Sequence, residues 1–322
     1  MAGTGETLRE AVARTARAEG PAAAVAMVEA RAAGDDPDAL LMLGEWRLYG
    51  MGRPTDLAGG YAAVARAAAL GSVEAGLAEV ALRATGTGVA PDPAGARARL
   101  EALAARSSEA AAQLRLVNAL PAAPAEPEIL SDEPWVARFD RAVPAEHCAY
   151  LISRAGPLVQ PSTVIDPRTR ARVPNPVRTS DGAAFSPLAE DLVIHGVNAR
   201  LGALSGTAVE RGEPLHVLRY RPGQEYRPHL DALPGGGNQR SATVLLYLND
   251  GYAGGETDFP LLGVTVAGRT GDVLVFRNTG ADGRPDRRTL HAGLPVTRGE
   301  KWLATRWVRA RPFHPWKAET HG

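Results

Sequence analysis

Two stretches in the second half of the chain decide the fold: residues 220–231 read YRPGQEYRPHLD, and residues 291–307 read HAGLPVTRGEKWLATRW. In an extended chain, residues i and i+2 point to the same face, so His229 and Asp231 would converge on one point. An isolated His-x-Asp triplet is more typical of a polar pair on the surface. A second histidine, His291, opens the later stretch, and the three side chains together predict a metal site on a β scaffold.

The ligand types and a nearby lysine narrow the chemistry of this site. Two histidines and one carboxylate form the facial triad of non-haem Fe(II) oxygenases, which leaves coordination positions open for a cosubstrate and O2. Lys301 follows His291 across a turn signal at residues 297–300. The chain contains 34 Arg but only 2 Lys. A lysine here therefore indicates a compact positive charge that would hold the far carboxylate of a dicarboxylate cosubstrate.

Outward from these stretches, apolar residues alternate with a period of two. The predicted strands are residues 241–248 (SATVLLYL), 272–276 (DVLVF) and 301–308 (KWLATRWV). Glycine-rich turns at 234–237 and 251–255 separate them, and a helical pattern returns at 187–204. Many short strands with one or two helices predict a sandwich or a jelly-roll barrel.

The first 118 residues have a helical period instead, and they repeat themselves. They are rich in alanine, with apolar residues three and four positions apart. The triplet at 50–52 (GMG) recurs at 86–88 (GTG), and Asp56 recurs as Asp92, both at an offset of 36. A period of this length predicts helix–turn–helix repeats stacked as a short solenoid, with a plain helical bundle as the alternative.

A proline-rich segment separates the two halves. Residues 121–134 contain four prolines, which disfavour a helix and favour an extended spacer. The sequence therefore predicts three parts: a helical repeat region at 1–120, a Pro/Ala-rich linker at 121–134 and a catalytic domain at 135–322.

The longer motifs resemble two known families. Residues 39–52 (ALLMLGEWRLYGMG) resemble Sel-one-like repeats, relatives of the tetratricopeptide class. Residues 220–231 are similar to the Y-x-x-G-Q-x-Y-x-x-H-x-D signature of prolyl 4-hydroxylases, and residues 291–307 are similar to its second half. The second resemblance covers about 130–310. It implies an α+β protein, in which an N-terminal α-helical repeat region precedes a catalytic double-stranded β-helix of the jelly-roll, cupin-like type.

The prolyl 4-hydroxylase resemblance also implies catalytic roles for individual residues. The iron ligands would be His229, Asp231 and His291. Lys301 would pair with the distal carboxylate of 2-oxoglutarate, and Tyr220 and Thr257 would hydrogen-bond that cosubstrate. Strand parity supports part of this assignment, because Lys301, Leu303, Thr305 and Trp307 would share one face of a strand.

Six further positions match the family's substrate cleft. They are Arg178, Ser180, Glu213, Tyr226, Arg240 and Trp307. Barrel core is the alternative for the two aromatic residues, and a surface or structural salt bridge is the alternative for the two arginines. His216, in a strand pattern near the cleft, fits a structural or a functional role. The loop at 232–238 is shorter than the lid of many relatives, which leaves the length of the preferred peptide open.

The resemblance implies a dioxygenase that hydroxylates a peptide or protein at proline, with succinate and CO2 as co-products. It would use Fe(II), 2-oxoglutarate and O2, with ascorbate as a reductant, and the repeats would dock the substrate. The alternatives are hydroxylation of a small molecule or of another residue type. Asp231 argues against a halogenase, which must vacate a ligand position. Outside enzymes, a repeat scaffold with a degenerate barrel is the alternative, and the intact ligands and Lys301 argue against it.

Composition excludes several other classes. Lys+Arg and Asp+Glu both number 36, so the net charge is zero, which argues against a nucleic-acid footprint or a polybasic membrane anchor. The single cysteine, Cys148, rules out a disulfide framework or a Cys-based metal site. Residues 1–10 lack the features of a secretory signal, and the sequence has no long apolar run. We expect a cytoplasmic protein, and the sequence leaves its oligomeric state open.

Overall fold

The computed structural model describes residues 6–122, 125–165, 168–169, 171–235 and 237–316. In it the chain divides into two compact units: Met1–Asn118 with Pro187–His195, and Ala119–Ser186 with Gly196–Gly322. Parts of the sequence-based predictions lie outside the described residues: 1–5 of the repeat region, 123–124 of the linker, and 166–167, 170, 236 and 317–322 of the catalytic domain.

The first unit is built from helices that repeat at the predicted offset. Before the first strand the described chain forms α1 (Leu8–Glu19), α2 (Pro21–Ala33), α3 (Pro37–Tyr49), α4 (Leu57–Ala69), α5 (Val73–Thr85), α6 (Pro93–Ala104) and α7 (Ser108–Ala119). Asp56 and Asp92 cap the N-termini of α4 and α6 by accepting hydrogen bonds from first-turn N–H groups. Gly50 and Gly86 end α3 and α5 in the left-handed conformation. Equivalent caps thus stand at equivalent positions, and the predicted helical repeats are confirmed.

Glycines let neighbouring helices of this unit approach closely. A Cβ atom added to Gly60 would lie 2.6 Å from Leu48 Cγ, and one added to Gly44 would lie 2.7 Å from Val64 Cγ2. Helices α3 and α4 therefore pack at a distance that no larger side chain allows at these positions. A Cβ on Gly76 would lie 2.9 Å from Leu103 Cδ2, so α5 and α6 also approach closely at this position.

The second unit is mainly antiparallel sheet. The described strands are β1 (Glu128–Ser131), β2 (Val136–Phe139), β3 (Gln160–Pro161), β4 (Thr163–Ile165), β5 (Arg172–Pro174), β6 (Asp181–Ala184), β7 (His216–Tyr220), β8 (Tyr226–His229), β9 (Arg240–Tyr247), β10 (Ala253–Gly254), β11 (Thr257–Phe259), β12 (Val264–Val266), β13 (Val273–Arg277), β14 (His291–Gly293), β15 (Val296–Arg298) and β16 (Lys301–Arg309). Helices α8 (Ala145–Ala155) and α9 (Leu192–Leu204) interrupt the series. Within the described residues, no helix is both long enough and apolar enough to cross a membrane.

Two sheets form the body of this unit. The larger sheet has the order β1-β2-β13-β9-β16-β7-β6-β3, and the smaller has the order β12-β11-β14-β8. Buried side chains from both sheets form a common core; its members are Val136, Leu245, Tyr247, Phe259, Val266, Leu274, Phe276 and Leu303. Two facing antiparallel sheets are the architecture of a jelly roll. The predicted fold class is therefore confirmed, a helical region followed by a double-stranded β-helix.

The element boundaries differ from the predicted ones in informative ways. The helical pattern at 187–204 forms a helix only from Leu192, because the Asp191 carboxylate caps that end by accepting hydrogen bonds from the N–H groups of Val193 and Ile194, both at 3.0 Å. The predicted linker at 121–134 contains β1, which pairs with β2 at the edge of the larger sheet. Part of that segment is therefore a strand rather than a free spacer, since no proline falls between 128 and 131.

Candidate active site

Three residues that can bind a metal meet between the two sheets. His229 ends β8, His291 begins β14, and the two are paired directly across the antiparallel ladder. Asp231 follows two residues after His229. One ligand atom from each lies within 4.8 Å of the other two. The Asp231 carboxylate oxygens are 3.6 Å from His229 Nε2 and 3.7 Å from His291 Nε2. The structure thus brings together the three predicted ligands.

Both histidines are held in the tautomer that a metal site needs. Nδ1 of His229 lies 2.8 Å from the Arg227 carbonyl oxygen, and Nδ1 of His291 lies 3.0 Å from that of Thr289. A carbonyl only accepts, so each Nδ1 carries the proton and each Nε2 keeps a lone pair for a metal. Burial lowers the pKa of His291 to about 4, so its imidazole is neutral at physiological pH. Two imidazoles and one carboxylate therefore fit Fe(II).

The Asp231 carboxylate is positioned by a hydrogen-bond chain from the larger sheet. The Thr243 hydroxyl donates to Asp231 Oδ2 at 2.7 Å, and Asn278 Nδ2 donates to that hydroxyl at 2.9 Å. Burial would raise the pKa of Asp231, but its contacts with His229, His291 and Thr243 outweigh this and hold the pKa below its usual range. The carboxylate is therefore anionic. Sequence reasoning missed Thr243 and Asn278. For Thr243, the alternation of side chains along β9 could have indicated which face of the sheet it occupies.

Replacing Thr243 with valine tests this chain. Valine keeps the shape of the side chain but leaves Asp231 without its donor. Partners of metal ligands are typically worth about 10–100-fold in metal affinity. We expect Thr243→Val to bind Fe(II) roughly 10-fold more weakly or worse in an anaerobic titration.

The matched control for that variant is Thr265→Val. It removes an exposed hydroxyl that donates to Asp258 at 2.7 Å, away from the three ligands. It should bind Fe(II) as the parent does. Equal affinities for the two variants would contradict the role assigned to Thr243.

A cavity adjoins the three ligands, and the residues predicted to bind the cosubstrate line it. Its lining includes Tyr220, Thr257 and Lys301, together with Leu303, Thr305 and Trp307 from β16. Four alternate residues of β16 thus face the cavity, as strand parity predicts. Tyr220 lies directly opposite Lys301 in the ladder between β7 and β16. The Thr257 hydroxyl is 2.8 Å from the Tyr247 hydroxyl, a partner that sequence reasoning missed.

Lys301 is almost completely buried, at 2% exposure. Its Nζ donates to the Gly255 carbonyl at 2.6 Å and lies 5.7 and 5.3 Å from the ring centres of Tyr220 and Tyr247. A Cβ added to Gly255 would lie 3.1 Å from Lys301 Cδ, so glycine lets the lysine stem pass there. The ammonium therefore points its charge into a small aromatic-walled space, where it can bind a carboxylate.

The burial of Lys301 should make 2-oxoglutarate binding depend on pH. Desolvation lowers the pKa of Lys301 to about 8, so the free site loses its positive charge as the pH rises through that value. Only the protonated lysine attracts a carboxylate, so we expect the Kd for 2-oxoglutarate to rise by up to about tenfold per pH unit above pH 8. Equilibrium binding on both sides of pH 8 measures this.

The control for the pH dependence is Lys301→Arg, because a guanidinium stays charged throughout this range. The variant should show a flat profile across pH 8, whatever its absolute affinity. An equally steep profile in both proteins would mean that another group titrates.

The residues predicted for the substrate cleft divide into two groups. Tyr226 and Trp307 line the cavity, whereas the other four, Arg178, Ser180, Glu213 and Arg240, are not part of its described lining. The two arginines pack on the two aromatic side chains: Arg178 over Tyr226 and Arg240 over Trp307. Ser180 is fully buried. The structure thus places a pair of cations against the walls of the cavity.

Glu213 joins this group through ion pairs. Its carboxylate accepts two hydrogen bonds from Arg240, at 2.6 and 2.8 Å, and lies 2.6 Å from Arg309 Nε. Arg309, which sequence reasoning missed, also donates to the Asn238 carbonyl at 2.6 Å. The salt bridge considered for Arg240 therefore exists, and it shares its carboxylate with Arg309.

Comparison with known proteins agrees with this geometry. Residues 215–309 match the sequence model of the 2OG-Fe(II) oxygenase superfamily. This range includes the three candidate metal ligands and Lys301. The fold and the site therefore define an Fe(II)- and 2-oxoglutarate-dependent dioxygenase.

Among these oxygenases, the chain belongs to the prolyl 4-hydroxylase family. It is 37% identical over 205 residues to Prolyl 4-hydroxylase 1 of Arabidopsis thaliana, an alignment that covers 58% of this chain and 72% of the relative. It is 35% identical over 210 residues to Prolyl 4-hydroxylase 5 of the same organism, with 58% and 72% covered.

Two solved structures are similar to parts of this chain. A viral collagen prolyl hydroxylase from Paramecium Bursaria Chlorella virus-1, in its 2OG complex, is 30% identical, with 55% of this chain and 96% of that chain covered and a TM-score of 0.44. A Sel1 repeat protein from Oxalobacter formigenes is 26% identical, with 34% of this chain and 85% of that chain covered and a TM-score of 0.31.

Proposed function

We propose that this protein hydroxylates prolyl residues of a peptide or protein, consuming 2-oxoglutarate and O2 and releasing succinate and CO2. The observation that carries the proposal is the single cavity that joins the three candidate iron ligands to the buried Lys301. The three ligands can hold Fe(II), and Lys301 can hold the far carboxylate of 2-oxoglutarate. The names of the related Arabidopsis proteins support proline as the target.

Different residues of the cavity would bind the metal, bind the cosubstrate and exclude water. His229, Asp231 and His291 would hold Fe(II) on one face and leave its other positions open toward the cavity. Bound Fe(II) supplies the redox chemistry that activates O2. Lys301 would orient the cosubstrate by its distal carboxylate, with the hydroxyl groups of Tyr220 and Thr257 as hydrogen-bond partners. The apolar lining, Leu218, Leu245 and Leu303, keeps water away from the reacting atoms.

The aromatic walls suit a prolyl ring. Tyr226 and Trp307 face the same cavity from different sheets, and both are largely buried. A pyrrolidine ring is apolar and can pack against such faces with little loss of conformational freedom. A small-molecule substrate or another residue type would use the same cavity, so the experiment must compare them.

The experiment is a direct product analysis. The purified protein is incubated with Fe(II), 2-oxoglutarate and ascorbate as the reductant, together with proline-containing peptides and a cell lysate. We expect peptides that gain the mass of one oxygen at proline, in a one-to-one ratio with succinate. Oxygen on other residues only, or on a small molecule only, would replace the proposal by one of those alternatives. A protein that binds no Fe(II) would be a scaffold with a degenerate barrel.

We further propose that the helical region consists of Sel-one-like repeats that dock part of the substrate. Its described residues provide none of the candidate metal ligands, and solenoids present extended surfaces for binding. Docking would raise the local concentration of substrate at the iron. The cytoplasmic location remains a prediction from the sequence.

Removing the repeats tests the docking role, and the structure changes how this should be done. Residues 187–195 belong to the repeat unit, and Leu192 is 6% exposed in a cluster with Leu100 and Leu103. A deletion of residues 1–118 would expose it, so the deletion should carry Leu192→Gln. We expect turnover of a short proline peptide to persist and kcat/KM on the full substrate to fall through KM. Equal kcat/KM on the full substrate before and after deletion would refute docking.

A further inference from the structure

Each aromatic wall of the cavity packs against an arginine. The Arg178 guanidinium lies 5.6 Å from the ring centre of Tyr226, and the Arg240 guanidinium lies 4.0 Å from the ring centre of Trp307. Tyr226 in turn stacks on His229, with ring centres 3.5 Å apart. Each guanidinium is therefore separated by one aromatic side chain from the cavity beside the three candidate metal ligands.

The charges of these two arginines are balanced differently. Arg240 pairs with Glu213, as described above. Arg178 is half-buried and donates from Nε to the Ser162 hydroxyl at 3.1 Å. No carboxylate in the described part of the chain pairs with Arg178. A half-buried guanidinium without an acidic partner is costly, so it favours the arrival of an anion.

His216 lies beside the Trp307 ring, on which Arg240 packs. It begins β7 on the same face as Leu218 and Tyr220, which line the cavity, and its ring centre is 5.8 Å from that of Trp307. Burial, together with the charges of Arg178 and Arg240, lowers the pKa of His216 to about 4. The imidazole is therefore neutral and half-buried, and it can donate or accept one hydrogen bond.

We propose that Arg178 is the cation of a carboxylate subsite, and that the preferred peptides carry a carboxylate next to the hydroxylated residue. This inference rests on the proposed function and specifies, in addition, that the peptide substrate is acidic beside the hydroxylated residue. A guanidinium binds a carboxylate through two parallel N–H···O bonds. A peptide with lysine or glutamine in place of the acidic residue lacks the two acceptor oxygens that this geometry needs. Partial burial weakens the screening of this attraction by water and salt.

The first test compares peptides of one sequence that differ at a single position. In the first set, the residue on one side of the proline is Glu, Gln or Lys. In a second pair, the Gln peptide ends at the proline, and its C-terminus is either a free acid or an amide. We expect kcat/KM to be about tenfold or more higher for Glu than for Gln, and lowest for Lys. A preference for the free acid over the amide would place the carboxylate at a chain end and would support the subsite as well.

Variants then assign the preference to Arg178. Arg178→Gln should bring the Glu/Gln ratio of kcat/KM close to one, and Arg178→Lys should keep only part of the ratio, because the charge stays but the two parallel hydrogen bonds are lost. The matched control is Arg227→Gln on the adjacent β8, since Arg227 is exposed and already paired with Glu225 at 3.0 Å. This control should retain the ratio of the parent. Loss of the ratio in Arg227→Gln to the same extent as in Arg178→Gln would overturn the assignment to Arg178.

The outcomes separate this inference from the proposed function. If the parent hydroxylates the Glu, Gln and Lys peptides at proline with equal kcat/KM and does not distinguish the free acid from the amide, the carboxylate subsite is wrong and the prolyl hydroxylase stands. If the parent hydroxylates none of the peptides at proline while it consumes 2-oxoglutarate, the proposed function fails and the subsite fails with it.

Discussion

Fe(II)-dependent turnover of 2-oxoglutarate should collapse in Asp231→Ala, by more than about 100-fold, since even the partners of metal ligands are worth about 10–100-fold. Asp231 is the anionic member of the three candidate ligands and is 5% exposed. Its removal leaves two neutral imidazoles, which cannot compensate the charge of Fe(II). Succinate release measured with saturating Fe(II), together with an anaerobic Fe(II) titration, checks the expectation.

Two further variants make that result interpretable. Asp258→Ala removes a carboxylate from the same small sheet, where Asp258 accepts a hydrogen bond from Thr265 outside the cavity. It should turn over 2-oxoglutarate as the parent does. Asp231→Asn keeps the shape and removes the charge, so it separates the two contributions. Parent-like turnover in Asp231→Ala would show that the metal is bound elsewhere.

Lys301→Ala should raise the KM for 2-oxoglutarate by about 10–100-fold while Fe(II) still binds. A charge-assisted hydrogen bond is worth about 1.5–3 kcal/mol, which gives this range. The side-chain hydrogen bond described for Lys301 goes to the Gly255 carbonyl and not to any of the three ligands. The metal site should therefore survive the substitution. Initial rates at varied 2-oxoglutarate, with Fe(II) affinity measured in parallel, give the two quantities.

Lys301→Met is the companion variant, because it fills the buried space without the charge. A similar rise in KM in the alanine and methionine variants would assign the effect to the charge. A parent-like KM in Lys301→Met would instead assign it to packing, and the carboxylate of 2-oxoglutarate would then be held by another group.

The sequence predicted the centre of the site better than its surroundings. The spacing of His229 and Asp231 requires only that the local chain be extended, and the one-face pattern from Lys301 to Trp307 requires only a strand. Both conditions are local, so they can be judged without knowing which strands are neighbours. The helical repeat was predictable for the same reason, since Asp56 and Asp92 cap their own helices.

Partners from distant segments were not predictable in this way. Thr243 reaches Asp231 and Arg309 reaches Glu213 only because of how separate strands lie side by side. A single sequence contains no record of that alignment. The assignment of residues 187–195 to the repeat unit, and the short strand β1 within the proline-rich segment, likewise depend on tertiary contacts that override local composition.

The direct pairing of His229 with His291 has a thermodynamic consequence. The two imidazoles face one point only while β8 keeps its register on β14, and β8 is an edge strand of the small sheet. Fe(II) would therefore bind the folded register and not the detached strand, and its binding energy would be added to the stability of that edge. At a free metal concentration of one hundred times Kd, this linkage is worth about 2.7 kcal/mol. Metal supply would then control the lifetime of the fold as well as its activity, and a cell short of iron would hold a less stable protein.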